Sequence, residues 1–467
     1  MFRNFLQGLT AIPGLLGAVC VFAVMYPLGA YASVLPLNAP PAVNLIKNPA
    51  LADSVSQAGK IVPAHWQSAA WGAASGAMFS YPVSGPDGTH VGAEVSIASY
   101  NAADAEQGAA EWYFEDVPVT GGVFYSFSDF YRSDAESHLT VQWTRHDGTQ
   151  YYETMATLSP TGGAWKSTPK YFFTAPPDAA TVSIFHQLQS TGTLAVSDYS
   201  LTTAAPPPSE SFGVGVVSFT FDDGYLDYYT EAFPILKGAS MGGTFYMIPA
   251  VTLNYSRYVA ADSSDIYMSP AQMLEMQAAG NDMASHTANH CDLVVLYKDP
   301  TSWSTQVGCR DHVLSSATTA QKEITDSQKE LADMGVSPDN NLAYPFGSFN
   351  SRIEALVKDA GFKGARSTDI GYNSATSNLF ALRTQNVGIN TSFETVKSWI
   401  DTAAKHRLWL ILTFHNIDSK EKLEQIGAVY GTTPDMLRQI VSYVGMQRAL
   451  GAIDVQTVGQ AISLLPK

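Results

Sequence analysis

The sequence predicts a multidomain protein in which an N-terminal β-sandwich of jelly-roll type is followed by an irregular (β/α) barrel. Three observations lead to this fold class. Residues 44–203 carry many short apolar stretches with turn residues between them and little helical periodicity. Residues 204–212 are rich in proline and read as an extended linker. Residues 213–467 alternate between strand-like and helix-like segments, as a parallel sheet with crossover helices does.

The length, composition and charge of the chain limit the classes of protein to which it can belong. A chain of 467 residues is long enough for two or three domains, and 46% hydrophobic with 15% charged residues is a globular composition. The net charge of −16 argues against nucleic acid as a partner and is compatible with export.

The first 33 residues predict a signal peptide or a membrane anchor. Arg3 precedes an uncharged stretch that lasts until Lys47, and Ile12–Ala32 is almost wholly apolar and long enough to span a bilayer. Ala30-Tyr31-Ala32 fits a small-x-small cleavage site. Both alternatives stay open, and both place the rest of the chain outside the cytoplasm, either secreted or anchored.

Short strands account for residues 44–203. Gly122–Tyr131 is rich in Val, Phe and Tyr, and Leu139–Arg145 alternates between apolar and polar residues. The turn sequence His146-Asp147-Gly148-Thr149 follows, and Thr181–Leu188 and Leu194–Leu201 flank a second turn. This pattern is typical of an antiparallel sandwich.

The predicted sandwich also holds five of the eight tryptophans, namely Trp66, Trp71, Trp112, Trp143 and Trp165. Exposed aromatic rings stack on sugar rings, whereas buried ones only fill a core, and both interpretations stay open. The stretch Asn44–Pro49 resembles the first strand of galactose-binding-like, carbohydrate-binding modules. That resemblance implies a glycan-binding module, with a spacer or docking domain as the alternative.

In the C-terminal half, apolar strand-like segments alternate with amphipathic helix-like segments. Ser269-Pro270 is a helix start with a cap and a proline in the first turn, and Gly280 ends that helix. The remaining predicted helices are Tyr228–Lys237, Thr318–Met334, Ser351–Ala360, Phe393–His406 and Pro434–Leu450. The predicted strands are Val214–Phe221, Gly243–Ile248, Asn341–Tyr344, Lys363–Ser367, Leu408–Phe414 and Ile453–Gln456. Seven or eight such units predict a barrel with its site at the carboxyl ends of the strands.

Polar residues follow three of these apolar stretches. The strand ending at Phe221 is followed by Asp222, Asp223 and Gly224. Adjacent buried carboxylates repel each other unless a metal ion or a shared proton compensates, although a solvated turn is the simpler interpretation. His286 and His290 lie four residues apart, and His415 follows the strand ending at Phe414. Two imidazoles and a carboxylate are ligands suited to zinc that leave one position open for water.

These motifs, in this order, resemble those of the polysaccharide deacetylase family, which has the NodB-homology fold and belongs to carbohydrate esterase family 4. The motifs are Thr220–Gly224, His286-x-x-x-His290, Tyr344-Pro345-Phe346-Gly347 and the strand ending in His415. The resemblance extends over about Val214 to Leu465. The first two motifs are the specific ones.

The resemblance implies a role for each motif residue. Asp223, His286 and His290 would hold a divalent metal, with zinc first and cobalt, manganese or nickel as alternatives. Asp222 would be the general base and His415 the acid that protonates the departing amine. Tyr344, Pro345 and Phe346 would contact the substrate, with the backbone N–H of Phe346 stabilising the oxyanion.

The sequence departs from the family pattern in one place. Many members carry an arginine just before the aromatic-proline motif, where it orients the base, but here that position is Ala343. Arg366, at the end of the next strand, is a candidate replacement, and a surface ion pair is the alternative. Asp369 is a candidate for the later aspartate that orients the catalytic histidine.

Two of the three cysteines lie close together after the histidine pair. In an exported protein, Cys291 and Cys309 would form a disulfide that closes a loop of about 17 residues. Two unrelated thiols are the alternative, while Cys20 lies in the N-terminal apolar segment.

The sequence therefore predicts a metal-dependent N-deacetylase that acts on an N-acetylated polysaccharide or oligosaccharide. Chitin-like polymers, peptidoglycan and poly-N-acetylglucosamine all stay open as substrates. One alternative is a metal-dependent hydrolase of a non-sugar amide. Another is a non-catalytic glycan-binding wall protein with a degenerate barrel, which the missing arginine favours. Contact with a membrane is expected only through the N-terminal segment.

Overall fold

The computed structural model describes residues 43–100, 108–203, 210–253, 267–304, 309 and 317–465. Ala42–Lys467 form one compact unit. The N-terminal segment 1–33 and residues 204–209 of the linker lie outside the described residues, so their assignments stay predictions. None of the helices in the described part of the chain has the length and apolar character needed to cross a bilayer.

Two antiparallel sheets make up most of residues 43–203, called the N-terminal module below. Its strands are β1 Ser54–Gln57, β2 Lys60–Pro63, β3 Trp66–Ala70, β4 Met78–Ser84, β5 Val91–Ile97, β6 Ala110–Phe114, β7 Val117–Pro118, β8 Phe124–Ser133, β9 Ser137–Arg145, β10 Gln150–Leu158, β11 Lys166–Ser167, β12 Tyr171–Thr174, β13 Ala179–Leu188 and β14 Gly192–Thr202. One sheet has the order β10-β9-β13-β6-β3 with β7 beside β13, and the other has the order β11-β8-β14-β5-β4 with β12 beside β8. Strand β10 is therefore an edge strand.

Apolar residues from both sheets form one shared core. Trp66, Trp112 and Trp143 are buried in it, together with Phe114 and Tyr199. This arrangement follows from the alternation in the strands, which places every second side chain on the inner face. The antiparallel sheets agree with the sequence prediction, whereas their assignment as a jelly-roll sandwich stays a prediction.

A parallel barrel makes up the C-terminal half. Its strands are β15 Gly215–Phe221, β16 Thr244–Met247, β17 Asp282–Ser285, β18 Asn341–Ala343, β19 Gly364–Ile370, β20 Leu382–Asn386, β21 Trp409–Phe414 and β22 Ile453–Val455. The order β16-β17-β18-β19-β20-β21-β15 closes on itself because β15 also pairs with β16, and β22 pairs with β15 outside this ring. The sequence prediction of a (β/α) barrel is confirmed.

Helices surround the barrel. They are α1 Phe233–Gly238, α2 Pro249–Leu253, α3 Pro270–Ala278, α4 Leu293–Lys298, α5 Ala320–Asp333, α6 Ser351–Asp359, α7 Phe393–His406, α8 Lys420–Ile426, α9 Pro434–Ala449 and α10 Val458–Ser463. The predicted start of α3 is confirmed, because Ser269 and Gln272 form a capping box. Strands β17 and β20 and helices α2, α4, α8 and α10 were not predicted, since their segments are short or carry little periodicity.

The N-terminal module packs directly against the barrel. The Thr174 hydroxyl lies 2.8 Å from the Tyr372 hydroxyl and donates to Thr402 Oγ1 at 2.9 Å. The Arg383 guanidinium donates to the carbonyl of Met155 at 2.5 Å. Phe124 belongs to the same apolar cluster as the barrel side chains. Strand β10 thereby lies beside β19, close to the carboxyl ends of the barrel strands.

Candidate active site

The site begins where β15 ends. This strand is buried along its whole length, and Asp222 and Asp223 are the first residues beyond it. Asp222 is 2% exposed, and Asp223 adopts a left-handed backbone with a φ of 76°. Gly224 has a φ of 80°, and a Cβ there would lie 2.7 Å from the Met247 side chain. The chain can therefore turn sharply after the two carboxylates only because residue 224 is glycine.

Two histidines face Asp223 from the loop after β17. The Nε2 atoms of His286 and His290 each lie 3.5 Å from Asp223 Oδ1. One ligand atom from each of the three residues lies within 4.8 Å of the other two. Separations of roughly 3–4 Å are typical of side chains that share one ion, so this donor set fits a divalent metal such as zinc.

The protonation state of His286 also fits a ligand. Its Nδ1 lies 2.8 Å from the carbonyl of Ala343 and donates to it, which leaves the Nε2 lone pair directed at the cluster. Burial, together with the neighbouring His290, lowers the pKa of His286 to about 4. The imidazole is therefore neutral near pH 7, as metal ligation requires.

Glu323 of α5 holds the loop that carries His286 and His290, called the histidine loop below, by hydrogen bonds. Its carboxylate accepts hydrogen bonds from the backbone N–H and the side-chain amide of Asn289, both at 2.8 Å, and its carbonyl accepts from the N–H of Ala288. Glu323 is fully buried. Glu323 was not among the predicted site residues, although a glutamate on the apolar face of a helix is a signal that could have identified it.

Arg366 forms an ion pair with the proposed base. Its Nη2 lies 2.6 Å from Asp222 Oδ1 and 2.5 Å from Oδ2, and both side chains are buried. Burial raises the pKa of Asp222, but the adjacent charge of Arg366 outweighs burial and brings the pKa below its usual value. The alternative of a surface ion pair for Arg366 is wrong, because the residue is fully buried.

His415 follows β21 and faces the same carboxylate. Its Nε2 lies 3.8 Å from Asp222 Oδ2, and its ring lies 5.6 Å from the ring of Tyr430. Its Nδ1 is buried and has no hydrogen-bond partner among the described residues. The proximity of Nε2 to Asp222 brings the candidate acid and the candidate base to the same point.

Asp369, by contrast, lies away from His415. It lines a separate cavity together with Lys170 and Arg383, and burial raises its pKa to about 7 despite the charge of Arg383. Side chains alternate along β19, so Arg366 and Thr368 face one side of the strand and Asp369 the other. The prediction that Asp369 orients His415 is therefore not supported by the structure.

The aromatic-proline motif reaches the site in part. Phe346 has a φ of 59°, lines the cleft and lies with its ring 4.6 Å from that of His290. Gly347 is required at its position, because a Cβ there would lie 2.0 Å from the Thr368 hydroxyl. Tyr344 has a fully buried side chain whose hydroxyl donates to the carbonyl of Phe380 at 3.0 Å, and Pro345 is also buried. Tyr344 nevertheless lines the cleft, so the predicted contact of Tyr344 and Pro345 with substrate stays a prediction.

The cluster lies in an open cleft of about 750 Å³, called the main cleft below. The barrel lines it with the residues already described and with Asn386, Asn390 and Tyr430. The opposite wall is residues 151–154 of β10, from the N-terminal module. No residue of this strand was among the predicted site residues.

The tryptophans do not form this wall. Trp66, Trp112 and Trp143 are buried in the module core, and Trp71 is 51% exposed but does not line the cleft. Trp165 is half-buried beneath the guanidinium of Arg132. For the three buried tryptophans, the core interpretation is the correct one.

A disulfide closes the chain beyond the histidine loop. Cys291 directly follows His290 and is bonded to Cys309, and both are buried in one cluster with Leu293 and Leu296. The pairing agrees with the one expected for an exported protein. It ties the end of the metal loop to a later point of the chain.

Comparisons with known proteins identify the family that the barrel resembles. Residues 210–365 match the profile of the family described as "Polysaccharide deacetylase". The curated relative "Putative polysaccharide deacetylase YxkH" of Bacillus subtilis (strain 168) is 26% identical over 186 residues, which is 40% of this chain and 56% of the relative. The match thus covers little more than half the length of that relative.

Solved structures with weaker likeness were also found. The Streptococcus pyogenes deacetylase PplD in complex with acetate is 26% identical, with 36% of this chain and 62% of that chain covered and a TM-score of 0.28. A "putative polysaccharide deacetylase from Mycobacterium smegmatis" is 16% identical, with 56% and 94% covered and a TM-score of 0.35. From the family profile and the curated relative, the chain carries a polysaccharide deacetylase domain, which is a hydrolase domain of the deacetylase class.

Proposed function

We propose that this protein removes N-acetyl groups from an N-acetylated extracellular glycan by metal-dependent hydrolysis and releases acetate. One observation carries the proposal: Asp222 is paired with Arg366 on one side and adjoins the Asp223–His286–His290 cluster on the other. An ionised carboxylate beside a ligand set that fits zinc is the arrangement needed to deprotonate an attacking water.

The first step uses Asp222. Because its pKa lies below the usual value, the carboxylate is ionised at neutral pH and accepts a proton from water as the water oxygen bonds to the acetamido carbonyl carbon. The carbonyl π electrons move onto its oxygen, to which the backbone N–H of Phe346, a residue lining the cleft, would donate. Asp223, His286 and His290 would hold a divalent metal, which would supply Lewis-acid polarisation of the carbonyl and activation of water.

The second step uses His415. Protonated Nε2 donates its proton to the amide nitrogen as the C–N bond breaks, and the bonding pair stays on nitrogen. The products are acetate and the free amine of the sugar. The 3.8 Å between His415 Nε2 and Asp222 Oδ2 allows both groups to serve one acetamido group.

Location outside the cytoplasm is part of the proposal. The apolar segment Ile12–Ala32 supports it, and so does the Cys291–Cys309 disulfide, since disulfides persist in oxidising compartments. Chitin-like polymers, peptidoglycan and poly-N-acetylglucosamine are the candidate substrates, and zinc is the first candidate metal.

Two alternatives were open from the sequence. A glycan-binding protein with a degenerate barrel was favoured by the missing motif arginine, but Arg366 supplies a guanidinium to Asp222, so that argument loses its basis. A binding protein would need neither a paired base nor an acid. Hydrolysis of a non-sugar amide uses the same groups, and substrate choice separates it from the proposal.

The test is acetate release from N-acetylglucosamine oligomers by the full-length chain, before chelation, after chelation and after zinc is restored. We expect release that is lost on chelation and recovered with zinc. Asp222→Asn is the matched variant, because it should retain metal while turnover falls at least about 100-fold. A metal-loaded protein that binds the oligomers without releasing acetate would instead indicate the binding protein, and release from non-sugar amides alone would indicate the other hydrolase.

A further inference from the structure

The main cleft does not end at the metal cluster. A second cavity of about 440 Å³, called the junction cavity, lies between the N-terminal module and the barrel. It shares Tyr151 and Glu153 of β10 and Ile370, Asn386, Asn390 and Thr391 of the barrel with the main cleft. Because six residues line both, the two cavities adjoin, and together they form a groove longer than one sugar unit requires.

Two of the four strongly exposed aromatic side chains in the described chain line this groove. The strongly exposed aromatic residues of the described chain are Trp71, Tyr152, Tyr297 and Tyr430. Tyr152 (57% exposed) comes from the N-terminal module and Tyr430 (59% exposed) from the barrel, and both line the main cleft. Large apolar rings left in water beside a catalytic site mark a binding surface, and amphipathic tyrosine suits sugar rings.

The module wall is held in place by contacts with the barrel. Strand β10 lies beside β19, and the Arg383 side chain donates to both Met155 O and Ile370 O. The Tyr152 hydroxyl donates to Gln142 Oε1 of β9 at 3.1 Å, and Arg145 lies 4.3 Å from the ring centre of Tyr151. Because the wall is already held in place, binding a glycan chain there does not require the entropy cost of ordering the wall.

The chemistry of the lining selects a neutral polymer. Asn386, Asn390 and Thr391 offer amide and hydroxyl groups that suit sugar hydroxyls and acetamido groups. Glu153 adds a carboxylate to the lining. The charge of Arg145 is already paired with Asp178, whose Oδ2 lies 2.7 Å from Arg145 Nε. With a net charge of −16, the protein would repel a polyanion.

We propose that the main cleft and the adjoining junction cavity form one extended glycan site, in which Tyr152, on the wall of the main cleft, stacks on sugar units adjoining the one deacetylated and makes the enzyme prefer long, neutral N-acetylated chains. The proposal rests on the proposed function for its substrate class. It assigns the N-terminal module a part in substrate binding through β10 and not through its tryptophans.

The experiment compares Tyr152→Ala with Trp71→Ala in the full-length, zinc-loaded chain. Trp71 is the matched control, since it is an exposed aromatic residue of the same module that lines neither cavity. Acetate release is measured with N-acetylglucosamine oligomers of two to six units. We expect Tyr152→Ala to lower kcat/KM for the hexamer by about 3- to 10-fold, mainly through KM, with a smaller loss for the dimer. Trp71→Ala should match the parent at every length.

A second readout separates this inference from the proposed function. Hexamer binding is measured by calorimetry in an Asp222→Asn background, with and without Tyr152→Ala. The subsite is supported if Tyr152→Ala weakens hexamer binding and Trp71→Ala does not, even if no acetate is released. Equal losses at all lengths, unchanged hexamer binding, or no binding at all would overturn it. Acetate release by the parent with unchanged Tyr152→Ala kinetics would overturn the subsite and leave the deacetylase proposal standing.

Discussion

Ala343 and Arg366 are register partners in the neighbouring parallel strands β18 and β19. Ala343 stands where many polysaccharide deacetylases carry the arginine that orients the base. Arg366 instead reaches Asp222 from the next strand, at the same level of the barrel. Arg366 thus supplies, from the neighbouring strand, a guanidinium that pairs with Asp222, the proposed base.

A guanidinium exchange tests this relationship. Arg366→Ala should lower kcat about 10²- to 10³-fold, because the base loses its partner, and should destabilise the fold by about 3–5 kcal/mol, since a buried charge is left unpaired. The double variant Ala343→Arg/Arg366→Ala should have a kcat at least about tenfold higher than that of Arg366→Ala. Ala343→Arg alone is the overpacked control. A folded double variant no more active than Arg366→Ala would show that register does not account for the replacement.

The pH profile gives a second prediction for the same pair. Arg366 keeps the pKa of Asp222 below its usual value, so the base stays ionised and the ion pair adds stability above the unfolded pKa of about 4. Both are lost as the pH falls through the lower, folded pKa. Arg366→Ala should therefore move the acidic limb of kcat/KM to higher pH. An unmoved limb in a folded, metal-loaded variant would argue against Asp222 as the titrating base.

The proposed acid can be tested by changing the leaving group. His415→Ala should lower amide hydrolysis about 10²- to 10⁴-fold, because the amine must be protonated to leave. The loss should be much smaller for an activated aryl acetate, whose phenolate leaves without a proton. His146→Ala, an exposed histidine of the N-terminal module, is the control and should keep parental rates on both substrates. Equal losses of His415→Ala on amide and ester would contradict the acid role.

Glu323 should control metal affinity without touching the metal. Glu323→Ala removes both hydrogen bonds to Asn289, so the loop that carries His290 loses its support. We expect metal binding to weaken about 10- to 100-fold, measured by competition with a chelator. Gln321→Ala, an exposed position on the same helix, should bind metal like the parent. Unaltered metal affinity in Glu323→Ala would restrict Glu323 to a role in packing.

The disulfide should contribute to stability. Removing a crosslink that closes a loop of this size costs about 3 kcal/mol, so Cys309→Ser should lower the midpoint of denaturant unfolding with little change in slope. A reducing agent should have the same effect on the parent. Cys20→Ser, which leaves the pair intact, is the control. A parent protein equally stable with and without reductant would contradict the contribution.

Much of the barrel could be predicted from the sequence, because the patterns that mark its strands and helices lie within short stretches of chain. Buried strands are continuous apolar runs, and their ends are marked by polar residues and glycine, so the positions of Asp222, His286 and His415 were predicted. Helix α7 was predicted at its observed bounds, since its periodicity and its serine cap agree. Strand β20, with its mixed sequence, lacks such a signal and was missed.

Side-chain orientation was not predictable from the sequence. Asp369 is three residues from Arg366, but the alternation of side chains places it on the other face of β19, facing Arg383. Tyr344 lines the main cleft, while its hydroxyl donates to Phe380 O. Sequence spacing does not show which way a side chain points once a strand bends or a turn intervenes.

By itself, the sequence determined the barrel, the motif residues and the chemistry those residue types can perform, because apolar periodicity and ligand type are properties of short stretches of chain. The tertiary structure alone decided that Arg366 replaces the residue missing at Ala343, that Glu323 supports the histidine loop, and that β10 forms a wall of the main cleft. Each of these depends on contacts between residues far apart in the chain. Such contacts are set by strand register and by packing between the two parts of the molecule, and local patterns carry no record of either.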